Sequence, residues 1–236
     1  MRTYLRVFLL LFAVYVKAQD APEVVTTNPS DSLSGNLTHT RWQAEGGFGY
    51  SQGVRPYNEG YYATYNDKPF GKIRLNSFTA GMTYNFSRKL GLRADLAFDH
   101  LKDIDDNSLD FETVYLRMSF QAVLNITSLL NTNYDTWRFQ LLAHGGVNLG
   151  SLITVRTKQD QIVGSPDLTG GVVLGVRPQY RITRKSFVFF DFSMFTNYRQ
   201  NHAWDGRVAQ ENENLTAKLV NASVGITYSF GKPLGK

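Results

Sequence analysis

Val220-Asn221-Ala222-Ser223-Val224-Gly225-Ile226-Thr227-Tyr228-Ser229-Phe230 is the stretch that decides the fold. Val220, Ala222, Val224, Ile226, Tyr228 and Phe230 share one face, and Asn221, Ser223, Gly225, Thr227 and Ser229 share the other. Strict alternation closed by an aromatic suits a strand with one face in lipid and the other on a polar lumen. Lipid does not tolerate an open sheet edge, so one such strand requires a closed set of them.

Working outward from it, eight alternating segments are predicted, at about 41–51, 72–86, 89–101, 110–125, 136–149, 169–182, 186–199 and 217–230. The connections alternate in length. Ser87-Arg88 and Thr183-Arg184-Lys185 are tight turns, whereas 52–71, 102–109, 150–168 and 200–216 are long and polar. An even number of strands with short turns at one end and long loops at the other is the pattern of outer-membrane barrels. The predicted fold is therefore an all-β, eight-stranded antiparallel up-and-down transmembrane β-barrel, with long extracellular loops and short periplasmic turns. The connection at 126–135 departs from the pattern and is long enough for a short helical cap. Pro178 falls on an outward position of the sixth segment and is expected at a bulge or where pairing weakens.

Face and depth together give the third signal. Trp42, Tyr84, Phe86, Trp137, Tyr180, Tyr228 and Phe230 fall on outward positions at the short-turn end. Aromatic rings gather at the level of lipid headgroups, so these form an expected belt. Tyr50, Phe98 and Tyr198 make a thinner belt at the other end. A soluble barrel also alternates, but it would turn its polar face to water and show no belt.

The N-terminus reads as an export signal. Arg2 and Arg6 precede an apolar run at 7–16, and Val16-Lys17-Ala18 offers a cleavage site, which leaves 1–18 as a signal peptide. Residues 19–40 are Ser-, Thr-, Asn- and Pro-rich without period, a disordered periplasmic lead-in; 41–230 is the barrel and 231–236 a short tail. Losing Arg2, Arg6 and Lys17 lowers the formal charge from +5 to +2, which argues against nucleic acid as a partner. With no cysteine, disulfides and thiolate metal sites drop out.

The inward face is charged. Glu45, Arg93, Asp95, Asp99, Arg117, Arg138, Arg177 and Asp191 are the expected ion-pair network, with Arg181 and Arg199 on the same face. An eight-stranded barrel is just wide enough for side chains to fill it, and buried charges must pair. The network reads as a plug, or alternatively as the lining of a narrow gated pore. No catalytic constellation is evident: of His39, His100, His144 and His202, none stands at metal-ligand spacing, and His144 reads as a lumen hydrogen-bonder. Asp103-Ile104-Asp105-Asp106-Asn107 lacks the glycine and the final acid of a calcium loop, so it reads as a solvated acidic loop, with a weak surface or lipopolysaccharide-bridging cation the alternative, and no metal site and no cofactor are assigned. Tyr57, Tyr61, Tyr62, Tyr65 and Phe70 in the first long loop suit either recognition or mutual stacking.

Gly81-Met82-Thr83-Tyr84-Asn85-Phe86-Ser87-Arg88-Lys89-Leu90-Gly91-Leu92-Arg93-Ala94-Asp95 resembles the membrane domain of OmpA-type outer-membrane proteins. Leu141-Leu142-Ala143-His144-Gly145-Gly146 and Thr227-Tyr228-Ser229-Phe230 resemble the fifth and eighth strands of Bacteroidota versions. Gln19 after Ala18 and Asp31-Ser32-Leu33, an O-glycosylation-like triplet with Ser32 as acceptor, point the same way. The resemblance implies insertion by the outer-membrane assembly machinery, a largely plugged lumen and no catalytic residues. No peptidoglycan-binding domain is expected after Phe230. The expected role is non-enzymatic: structural, or an accessory subunit of a larger outer-membrane complex. The expected partners are outer-membrane lipid, lipopolysaccharide and other outer-membrane proteins. A small gated pore is the alternative, and a lipid-modifying barrel enzyme a third.

Overall fold

The computed structural model describes residues 40–61, 74–103, 108–130, 138–157, 166–208 and 215–233. The expected signal segment at 1–18, Ser32, His39, Trp137 and residues 62–73 and 104–107 lie outside the described residues.

The strands are β1 (Thr40–Arg55), β2 (Ser77–Asn85), β3 (Leu90–Lys102), β4 (Phe111–Asn125), β5 (Phe139–Thr157), β6 (Asp167–Arg181), β7 (Ser186–Gln200) and β8 (Leu215–Pro233). Each pairs antiparallel with its neighbour in sequence, and β1 pairs with β8 to close the barrel. The expected eight-stranded up-and-down fold is the observed one. Closure gives every strand two partners, so no row of backbone N–H and C=O groups is left as an open edge.

Some strands run further than the sequence suggested. Residues 150–157 read as loop because Gly150-Ser151 interrupts the apolar run, yet they continue β5. Leu152 and Thr154 turn inward there, while Ile153 and Val155 alternate with them. The expected tail after Phe230 gives its first three residues to β8. Of the two expectations for Pro178, locally weakened pairing is the one observed. No bulge forms: β6 and β7 stay in one register, and only the rungs at Arg177 and Pro178 are missing from the ladder. The missing N–H of proline is met by a local gap, after which pairing resumes at Gln179.

The two tight turns are built alike. Ser87 Oγ accepts from Lys89 N and Leu90 N at 3.2 and 3.1 Å, and Thr183 Oγ1 accepts from Lys185 N and Ser186 N at 3.2 and 3.0 Å. A short hydroxyl side chain thus takes up turn N–H groups that the ladder cannot reach. The third connection at this end contains α1 (Ile126–Leu130). Asn125 Oδ1 caps it by accepting from Ser128 N at 3.0 Å, and Thr127 Oγ1 ties it to β5 by accepting from Leu141 N at 2.8 Å.

Outward residues are apolar. Leu96, Leu174 and Ile226 are 61%, 63% and 58% exposed, and Val188, Phe190, Phe192 and Met194 line the outside of β7. At the short-turn end Trp42 is paired across the ladders with Tyr84 and with Phe230. Trp42 and Tyr84 meet edge to face with centroids 4.8 Å apart, and Tyr84 and Phe86 at 5.3 Å. Tyr180 and Tyr228 are exposed at the same end. No helix among the described residues is long and apolar enough to cross a membrane.

Candidate functional site

The lumen carries the chemistry, and its centre is a closed ring of charges. Arg177 holds Glu45 through both terminal nitrogens, at 2.5 and 3.0 Å, and Asp191 through Nε at 2.8 Å. Arg93 faces the same two acids, with Nε 2.7 Å from Glu45 and Nη1 3.1 Å from Asp191. Two guanidiniums, from β3 and β6, therefore share two carboxylates, from β1 and β7. A polar arm closes a second ring. Asp95 Oδ2 accepts from Gln121 Nε2 at 2.6 Å, Gln121 Oε1 meets His144 Nδ1 at 2.5 Å, and His144 Nε2 lies 3.4 Å from Asp191. His144 is the expected lumen hydrogen-bonder.

Toward the long-loop end, Arg117 Nε pairs with Asp99 Oδ2 at 2.7 Å, and Ser77 donates to Asp99 Oδ1 at 2.6 Å. The arginines also lie on aromatic faces: Arg177 sits 4.1 Å from the Phe189 centroid and Arg117 4.0 Å from that of Phe195. Glycines make the space. A Cβ on Gly225 would stand 2.5 Å from Phe189, and one on Gly175 would stand 2.3 Å from His144. Seven of the eight expected network residues thus meet in the lumen.

Arg138 does not join them. It precedes β5, is exposed and reaches the Tyr180 hydroxyl at 3.5 Å, because the period of two ends where the strand begins. Arg199 is also exposed. A register shift between Asn197 and Gln200 gives it φ 59° and turns Gln200 inward in its place. With both outside, three buried arginines, Arg93, Arg117 and Arg177, pair with Glu45, Asp95, Asp99 and Asp191, and Arg181 is buried at the short-turn end of β6.

Above the charges lies a layer that sequence reasoning missed. Tyr61, Trp204, Tyr115 and Phe111 are fully buried with Leu101, Leu152, Val173, Phe195, Ala217 and Leu219. Trp204 comes from the β7–β8 loop. Its indole donates to Arg55 O at 3.0 Å, its N–H to Pro56 O at 3.0 Å, and its carbonyl accepts from Thr113 Oγ1 at 2.9 Å. The ring crosses Tyr115 at 5.3 Å, and a Cβ on Gly53 would stand 2.4 Å from it. Tyr61 enters from the first long loop and packs on Phe111 at 6.2 Å. Of the two readings of that loop, Tyr57 and Tyr61 follow the packing one. The neglected signal was parity: Phe195 shares the inward face of β7 with Asp191, and Phe111 and Tyr115 share that of β4 with Arg117.

The loop tips are cross-tied. Asp205 accepts from Asn58 N at 3.2 Å and from Asn58 Nδ2 at 3.3 and 3.0 Å, and Asp167 accepts from Asn201 N and His202 N, each at 2.8 Å. Burial raises the Asp205 carboxyl above its ordinary value, against the opposing pull of the Asn58 donors. Burial, with Asp205 beside it, also raises the Tyr57 hydroxyl well above its usual value, so it stays protonated. At the short-turn end a polar cavity of about 40 Å³ opens beneath Arg93, His144 and Arg177, lined further by Gln140 and Gln179. Such a volume has room for a few waters. Among the described residues no three His, Asp or Glu side chains stand close enough to hold a metal.

No family model matches this chain, and no curated protein matches it. Among solved structures it is similar to Ail, the attachment invasion locus protein of Yersinia pestis, at 13% identity over 81% of this chain and 99% of that one, with a TM-score of 0.46. It is also similar to the outer membrane protein OprG from Pseudomonas aeruginosa, at 11% identity over 83% and 98%, with a TM-score of 0.48. A major outer membrane protein from Thermus thermophilus is 11% identical over 80% and 98%, with a TM-score of 0.47. These similarities concern barrel architecture and assign no role.

Proposed function

We propose that this chain is an integral outer-membrane barrel with a sealed lumen, serving the structure of the envelope or a larger outer-membrane assembly rather than catalysis or transport. One observation carries the membrane reading: the outward face is an apolar band edged by aromatics. Residues such as Leu96, Leu174, Val147 and Ile226 are more than half exposed, and in water that exposure would forgo about 1.5–3 kcal/mol for each large side chain left unburied. A continuous band of this kind belongs against hydrocarbon. Flotation of the refolded full chain with lipid vesicles tests it; a chain that stays in the soluble fraction overturns it.

The sealed reading is supported by two stacked barriers, the ion-pair ring and the aromatic layer. A gated pore is the second reading, favoured by the upper barrier being formed partly by loop residues, Tyr61 and Trp204. Its weakness is the lower barrier, whose Glu45, Arg93, Arg177 and Asp191 all stand on strands. The accessory role predicts that other outer-membrane proteins are recovered with it in mild detergent; recovery alone in every condition counts against that role. A lipid-modifying activity is the third reading, and unchanged lipid A in a deletion strain would dismiss it.

A further inference from the structure

We propose that the long-loop end of the β8–β1 seam binds one phosphate-bearing membrane lipid, an acyl chain lying over Ala222 and the phosphate held by Arg55 and Lys218. The proposal rests on the outward face being the lipid-facing one. An open trough of about 310 Å³ runs along this seam. Its floor is Ala222, which pairs with Tyr50 on one side and Phe192 on the other. One outward rung below, Val224 pairs with Phe48 and Phe190. A small side chain between aromatic walls leaves a furrow one strand wide, which fits a single hydrocarbon chain. It is too narrow for a stable protein contact, which needs about 1,000 Å² or more. The Tyr50 hydroxyl donates to Gln52, which holds that wall in place.

The cations sit directly above. Lys218 and Arg55 pair across the seam and both are exposed. Among the described residues neither has a carboxylate within ion-pair distance. Like charges facing each other across two strands are unfavourable, and a shared anion relieves the repulsion. The Arg55 backbone is anchored, since its carbonyl accepts from the Trp204 indole at 3.0 Å. Lys218 lies four residues from Ala222, about 13 Å along the strand. That places the charge where the headgroup of a chain seated in the trough emerges.

Native mass spectrometry of the full chain in detergent tests the site, titrated with phosphatidic acid, with diacylglycerol of the same chains, and with inorganic phosphate. One phosphatidic acid should be retained where diacylglycerol is not. Changing both Arg55→Gln and Lys218→Gln should weaken it about ten- to thirtyfold, to the level of diacylglycerol. Ala222→Phe should weaken both lipids, and Ala222→Leu repeats that test if the phenylalanine variant does not fold. Equal retention of the two lipids, an unchanged double variant, or displacement by inorganic phosphate at matched concentration would overturn the proposal. Flotation of the unaltered chain is read separately: loss of lipid selectivity with flotation intact removes this site and leaves the membrane reading standing.

Discussion

Arg177 is the residue on which most of the lumen depends, since it neutralises Glu45 and Asp191 and covers the Phe189 ring. Arg177→Ala would leave two buried carboxylates sharing one arginine, Arg93, and breaking a buried pair typically costs about 3–5 kcal/mol. Urea unfolding in lipid vesicles should show a loss of that size, whereas Arg138→Ala, at an exposed contact, should move the midpoint by less than about 0.5 kcal/mol. Asp205, in the β7–β8 loop, gives a pH signature. Because burial raises its carboxyl above the unfolded value, its stabilising contribution is fully present when it is protonated. That contribution is lost as pH rises through the raised value. Exchange of the Trp204 indole proton should therefore be slower near pH 4 than near pH 7, beyond the intrinsic pH dependence of exchange. Asp205→Asn should abolish that extra difference, and an unchanged profile in the variant would assign it to other groups.

At the scale of the element, α1 depends on its cap. Asn125→Ala removes the acceptor for Ser128 N and should cost about 1 kcal/mol in the same unfolding measurement. Strands were the part of the molecule most legible in the sequence, because a period of two assigns every side chain a face. Asp191 and Phe190 could be sent to opposite sides from β7 alone. Legibility failed where the period breaks. The shift between Asn197 and Gln200 turned Arg199 out, and Arg138 stands just before its strand. Trp204 and Tyr61 were illegible for a different reason: a loop tip has no period, and its destination is set by the space left for it. That space was written elsewhere, in Gly53 and in the inward rings of Tyr115 and Phe111.

For the whole molecule, the arrangement is layered along the barrel axis: a small polar cavity, a balanced ring of charges, then an aromatic layer tied down by loops. Outside lies an apolar band, the face that the proposed membrane reading sets in lipid, and the closed ladder pairs the backbone of every strand. The layers differ in what holds them. The charged ring stands on strands and the aromatic layer partly on loop tips, so removing Trp204 and Tyr61 together should loosen the mouth without opening a path through the ring. Sealing is the central claim, and single-channel recording of the refolded full chain in planar bilayers tests it most directly. The expected result is a silent bilayer apart from rare, brief events, unchanged in the Trp204→Ala, Tyr61→Ala double variant. Large, steady currents from the unaltered chain would contradict it.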